Sequence, residues 1–130
     1  MKASVNTTAL AFIGDAVYEV HVRKHVLESG QVSAEKLHHM AVRYVRAEGQ
    51  AAALKAIIGR LSEDEQALVK RARNRKSASK PKNADPVEYK LATAFEALVG
   101  HLYLAEDGER LDEIMRLAVA AVEGGDYEQS

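Results

Sequence analysis

The 130-residue chain contains no cysteine. That excludes a disulfide scaffold, a thiolate zinc site, an iron–sulfur cluster and a cysteine nucleophile, and it fits a reducing compartment, so a cytoplasmic location is expected. Uninterrupted apolar stretches are also missing. The first apolar run, Ala9 to Val22, carries Asp15, Glu19 and His21, which makes it neither a membrane span nor a signal peptide. There is no Gly-rich phosphate loop and no G-x-S-x-G turn. His21 and His25 stand four residues apart, but Val22-Arg23-Lys24 between them lacks the glutamate of a zinc-hydrolase helix. Glu35 and His38 make a single Glu-x-x-His where a di-iron bundle needs a pair. No internal repeat and no sheet pattern is evident.

What is present describes a soluble protein with a substantial core: 47% apolar and 28% charged residues, in a length that suits one domain spanning residues 1–130. The periodicities are helical. Leu10, Ile13, Val17, Val20 and Leu27 recur at three- and four-residue steps between Asn6 and Ser29, with Gly30 as the terminator. The alternation within Val17 to Val22 has the period of a strand, but the longer run favours helix. Ser33 caps a second helix carrying Leu37, Met40, Ala41, Tyr44, Val45, Ala52, Leu54 and Ile58, with a break expected near Gly49. Ser62 and Glu65 form a capping box for a third helix running towards Arg75. After a basic loop over Lys76 to Ala84, Asp85, Pro86 and Glu88 supply N-cap, N1 proline and N3 acid for a helix to about Ala105. A last helix is expected from Glu109 to Val122, with the Gly-Gly tail fraying after it. The fold class is all-α. Tyr18, Tyr44, Tyr89 and Tyr103 are expected at the core edge with their hydroxyls facing water, and His101 at the edge of a site or an interface.

Two acids stand in apolar surroundings, Asp15 within ALAFIGDAV and Glu96 within AFEALVG. An ionised carboxylate in a core costs several kcal/mol, on the order of the burial penalty for a charge, unless it is paired, protonated or bound to a cation. Each has a glycine nearby, Gly14 and Gly100, and helix glycines allow another backbone to approach closely. Helices crossing at these glycines would bring the carboxylates together. At about 4 Å and an effective dielectric of 20 they would repel by about 4 kcal/mol, which a bound Mg²⁺ would reverse. Glu19, one turn after Asp15, is an accessory ligand or an ion-pairing surface residue. The alternative to a metal site is pairing of the acids with Arg23, Arg43 or Arg46.

Charge is strongly segregated. Lys70, Arg71, Arg73, Arg75, Lys76, Lys80 and Lys82 fall within a stretch that has no acid, whereas the rest of the chain carries 11 basic and 19 acidic side chains. Such a segment suits phosphate contacts, with Ser77, Ser79 and Asn83 as additional donors. No aromatic residue is interleaved for stacking on single strands, so the backbone of a duplex is the expected ligand.

Two of these stretches, ALAFIGDAVYEVHVR and KNADPVEYKLATAFEALVGHLYL, resemble the signature helix and the second acidic helix of the ribonuclease III catalytic domain. Their short form and the absence of a double-stranded-RNA-binding domain are similar to the Mini-III group. The resemblance covers nearly the whole chain and implies a ribonuclease III-like helical endonuclease domain. It further implies a Mg²⁺-dependent enzyme that cuts double-stranded RNA, works as a homodimer and matures the 23S ribosomal RNA precursor, with a large-subunit ribosomal protein as helper. It places Asp15 and Glu96 as metal-binding catalytic residues and leaves Thr93, one turn before Glu96, to hold a metal-bound water. The chain departs from full-length ribonuclease III at Ala11 and Thr93, where that family has further acids; Mini-III proteins share this thinner set. Rival readings are a non-catalytic dimeric module that binds double-stranded RNA and a helical interaction protein with buried ion pairs.

Overall fold

The computed structural model of the chain describes residues 5–75 and 82–129, with side chains to residue 124. The described residues form six α-helices: α1 (Thr7–Leu27), α2 (Ala34–Val45), α3 (Ala47–Ile57), α4 (Glu63–Asn74), α5 (Pro86–Leu104) and α6 (Gly108–Gln129). A short 3₁₀ turn, Ile58–Arg60, joins α3 to α4, and no strand occurs among the described residues. The all-α expectation therefore holds. None of these helices is long and apolar enough to cross a membrane.

The helix starts follow from side chains that satisfy otherwise unpaired backbone amides. Asn6 Oδ1 accepts from the Ala9 amide at 2.8 Å. The Ser62 hydroxyl accepts from the Glu65 amide at 3.1 Å while the Glu65 carboxylate accepts from the Ser62 amide at 2.8 Å, completing the capping box. Asp85 Oδ1 accepts from Val87 and Glu88 at 2.9 and 3.1 Å, with Pro86 at the first helical position. Gly30, at φ +87°, ends the turn after α1 in a backbone conformation that costs other residues energy.

Helix α5 is the centre of the structure and packs against α1, α3, α4 and α6. Its Ala94, Phe95, Ala97, Leu98 and Val99 are wholly inaccessible, and Phe95 meets Tyr18 of α1 edge-on at 4.9 Å between ring centres. Arg110 of α6 clamps Glu65 of α4 with two hydrogen bonds, at 2.9 and 2.6 Å, and donates to the Arg60 carbonyl at 3.0 Å. Those bonds hold the Glu65 carboxyl below the usual carboxylate range.

Several local expectations change. The inward face of α1 is Leu10, Ala11, Gly14, Tyr18, Val22 and Val26, while Val20 and Leu27 point outward. Close approach to α5 at Gly14 sets this phase, and the aliphatic count alone does not report it. Tyr18 is fully buried rather than at the edge, and its hydroxyl has no hydrogen-bond partner; burial pushes that hydroxyl's pKa upward. Tyr44 is buried as well, its hydroxyl donating to Glu123 at 2.7 Å. The break expected near Gly49 falls at Arg46, whose backbone is extended. The final helix starts at Gly108 and continues through the two glycines to Gln129, rather than fraying after Val122. Glu123 tethers this end, taking the Tyr44 hydroxyl and lying 2.9 Å from His25 Nε2.

Candidate active site and nucleic-acid interface

The site is built where α1 crosses α5. A Cβ added at Gly14 would collide with the Glu96 carbonyl oxygen and lie 2.8 Å from the Gly100 amide nitrogen. One added at Gly100 would collide with the Leu10 carbonyl oxygen and lie 3.0 Å from Ile13 Cγ2. The two glycines thus interlock the backbones, as their positions beside the two acids suggested. The consequence is proximity of the acids: the Asp15 side chain lies close enough to Glu96 for its charge to act on the Glu96 carboxyl.

Their environments differ. Asp15 is exposed, contrary to the expectation of a core position, because it sits one residue around the helix from the glycine that faces α5. Glu96 is partly buried. Desolvation and, next, the negative charge of Asp15 push its pKa up to about 8, opposed by a hydrogen bond from Gln50. Among the described residues no Lys or Arg forms an ion pair with Glu96 or shifts its carboxyl. Of the arginines considered as partners, Arg23 binds Glu19 at 3.1 Å, the Arg43 guanidinium lies over the Tyr44 ring at 4.8 Å, and Arg46 is exposed.

Glu19 is therefore engaged by Arg23 on its own helix rather than turned to the acid pair. Thr93 Oγ1 donates to the Tyr89 carbonyl at 2.9 Å, which commits its proton but leaves its oxygen able to accept from a water one turn from Glu96. His101 is exposed. Among the described residues no group of three or more His, Asp or Glu converges. The described residues offer a pair of carboxylates with no cation among them against Glu96. That donor set suits Mg²⁺, which commonly takes one or two carboxylates and completes its octahedron with water and substrate phosphate.

Sequence reading missed Gln50. It is buried on α3, donating from Nε2 to the Val45 carbonyl at 2.8 Å and to Glu96 Oε2 at 3.3 Å. The signal was the one that singled out Asp15 and Glu96, a polar residue leading an apolar stretch, here Gln50-Ala51-Ala52-Ala53-Leu54.

The basic segment begins on the last turns of α4. Leu68, Val69 and Ala72 of this helix are buried, which leaves Lys70, Arg71 and Arg73 exposed, followed by Arg75 at the C-cap. Positive side chains there also complement the negative end of the helix dipole. Lys82 is exposed on the approach to α5; Lys76, Ser77, Ser79 and Lys80 lie outside the described residues. At 1.5 Å per residue, Glu96 is about 15 Å along α5 from the helix start that follows this segment.

Residues 8–107 match the Ribonuclease III domain family. Over 116 residues the chain is 50% identical to the Mini-ribonuclease 3 of Symbiobacterium thermophilum, covering 89% of each chain. It is 50% identical to that of Brevibacillus brevis, covering 92% of this chain and 89% of the relative, and 35% identical to that of Staphylococcus aureus, covering 91% and 90%. A crystal structure of a Fusobacterium nucleatum protein superposes with a TM-score of 0.80 at 33% identity, over 91% of this chain and 94% of that one. The glycine-locked acid pair thus stands in a fold with known counterparts, and the chain belongs to the ribonuclease III family of endoribonucleases, in its Mini-ribonuclease 3 group.

Proposed function

We propose that the protein is a Mg²⁺-dependent endoribonuclease that cleaves double-stranded RNA, the whole chain acting as one catalytic domain within a homodimer. The observation that carries this reading is the pairing of Asp15 with Glu96 across two interlocked helices, with no ion pair to Glu96 among the described residues. A bound Mg²⁺ would supply an activated water for attack on the scissile phosphate and stabilise charge on the leaving oxygen. Asp15 and Glu96 would hold that ion, and the backbone contacts at Gly14 and Gly100 keep the two helices that carry them in fixed register. The Thr93 oxygen orients a water next to Glu96. Lys70, Arg71, Arg73, Arg75, Lys76, Lys80 and Lys82 grip the RNA backbone, positioning the duplex without reading its sequence.

The homodimer draws support from α1. Phe12 is 81% exposed and Val20 68%, and with Ala16 between them and Leu27 beyond they line one side of the helix. Two copies meeting along this stripe would cover it. The 23S ribosomal RNA precursor as substrate, a large-subunit ribosomal protein as helper and a cytoplasmic location complete the reading, on the likeness to the Mini-III group.

The test is cleavage of a long labelled RNA duplex in Mg²⁺ or EDTA by wild type and Asp15→Asn, read beside a native gel shift. Cutting that needs Mg²⁺ is expected, and Asp15→Asn should lower the rate by about 10³, or about 4 kcal/mol of barrier. The variant should stay folded, because Asp15 is exposed and its side chain takes no part in the core. A shift without cutting in Mg²⁺ would reduce the protein to a binding module, and neither shift nor cutting would remove RNA from the account.

A further inference from the structure

We infer that Gln50 is a positioning residue of the active site: its side-chain amide, anchored on the Val45 carbonyl, fixes the Glu96 carboxylate for divalent-cation binding. This rests on the reading of Asp15 and Glu96 as the cation site.

Gln50 is 2% exposed, and a buried primary amide is costly unless its hydrogen bonds are made. Both amide hydrogens are used, one on Val45 at 2.8 Å and one on Glu96 Oε2 at 3.3 Å. The Val45 carbonyl belongs to the last turn of α2, where no intrahelical donor remains for it, so Gln50 satisfies an otherwise orphaned acceptor. A carbonyl can only accept, and the amide is thereby held with its NH₂ group, never its oxygen, towards Glu96.

The backbone enforces the same arrangement. At Gly49 an added Cβ would collide with the Arg43 carbonyl oxygen and lie 3.1 Å from that of Tyr44, so the first turn of α3 is pressed onto the end of α2. This brings the Gln50 side chain back onto Val45, five residues earlier. Gln50 Oε1 is buried and takes no hydrogen bond from the described protein groups. Capping accounts for one amide hydrogen. The other is spent on the carboxylate, engaging Oε2 and restricting its rotation. Groups that orient metal ligands in this way typically change metal affinity by about 10–100-fold when removed.

The experiment is a titration of the RNA-free protein with Mn²⁺, following loss of the free-ion EPR signal, for wild type, Asp15→Asn, Gln50→Met and Gln50→Asn. Met keeps the volume and removes the donors; Asn keeps an amide but is a methylene too short to span Val45 and Glu96. Both Gln50 variants are expected to weaken Mn²⁺ binding at least about tenfold and to raise the Mg²⁺ needed for half-maximal cleavage by a similar factor. RNA gel shift in EDTA should stay at the wild-type level. If Gln50→Met does not fold, Gln50→Asn carries the comparison. Wild-type Mn²⁺ affinity in either folded variant, even with lowered melting, overturns the inference and leaves the nuclease reading standing. Mn²⁺ binding that is absent in wild type, or the same in Asp15→Asn, overturns the cation site and this inference with it.

Discussion

Adding one methyl group at Gly14 should separate the two halves of the active site. A Cβ there would lie 2.8 Å from the Gly100 nitrogen and closer still to the Glu96 carbonyl oxygen, against an ordinary carbon–oxygen contact of about 3.3–3.6 Å. The atoms struck are backbone, so no rotamer change relieves them and the helices must part. Overpacking of this kind costs about 1–3 kcal/mol, and the upper figure applies where nothing yields. Alanine returns about 1 kcal/mol of helix propensity, giving a net loss of about 2 kcal/mol. For a chain of this length that is a fall in Tm of roughly 5–10 °C. The effect on cleavage should be larger, since Asp15 follows Gly14 directly and the clash lands on Glu96 itself; a 1 Å misplacement can cost about 10²-fold. Thermal melting and duplex cleavage of Gly14→Ala are to be compared with Gly108→Ala. An added Cβ at Gly108 has no neighbour within 4 Å, so stability there should change by less than about 0.5 kcal/mol. Wild-type melting and cleavage in Gly14→Ala would refute the interlocked crossing.

Further predictions concern charge and assembly. The Glu96 carboxyl is raised from 4.5 to about 8, so between those values the folded protein holds a proton that the unfolded chain releases. The resulting stability is fully present below about pH 4.5 and is lost as pH rises through about 8. Urea unfolding in EDTA should therefore show wild type losing stability relative to Glu96→Gln from pH 5 to 9, and a constant difference would contradict the raised carboxyl. RNA affinity should fall steeply with salt, and Arg71→Ala and Arg73→Ala should each lower the log–log slope by about 1; slopes equal to wild type would take those side chains off the phosphates. Phe12→Asp should convert a dimer to a monomer in sedimentation, and a monomeric wild type would dismiss the α1 stripe as its seam.

Much of the fold was legible because it is written in local chemistry. Ser33, Ser62 with Glu65, and Asp85 with Pro86 mark helix starts through bonds within a few residues, and the structure makes each of those bonds. Asp15 and Glu96 were legible for a different reason, since a charge in an apolar run is anomalous wherever the chain folds. The neighbouring glycines foretold the crossing, because a helix interior seldom carries them without a close neighbour.

What the sequence by itself determined was thus the helices, their caps, the segregation of positive charge and the identity of the two acids. Only the tertiary structure decided which faces turn inward and what stands beside those acids. Val20 and Val22 are equally apolar, yet one is exposed and the other fully buried, because the phase of α1 follows from its contact with α5. Asp15 reaches solvent while Glu96 is partly shielded, a difference set by the crossing and invisible in their similar sequence settings. Gln50 meets Glu96 across 46 positions of chain through the packing of α3 on α5. Local bonds are fixed by neighbours along the chain, whereas burial and the company of a charge depend on which distant surfaces the folded chain brings together.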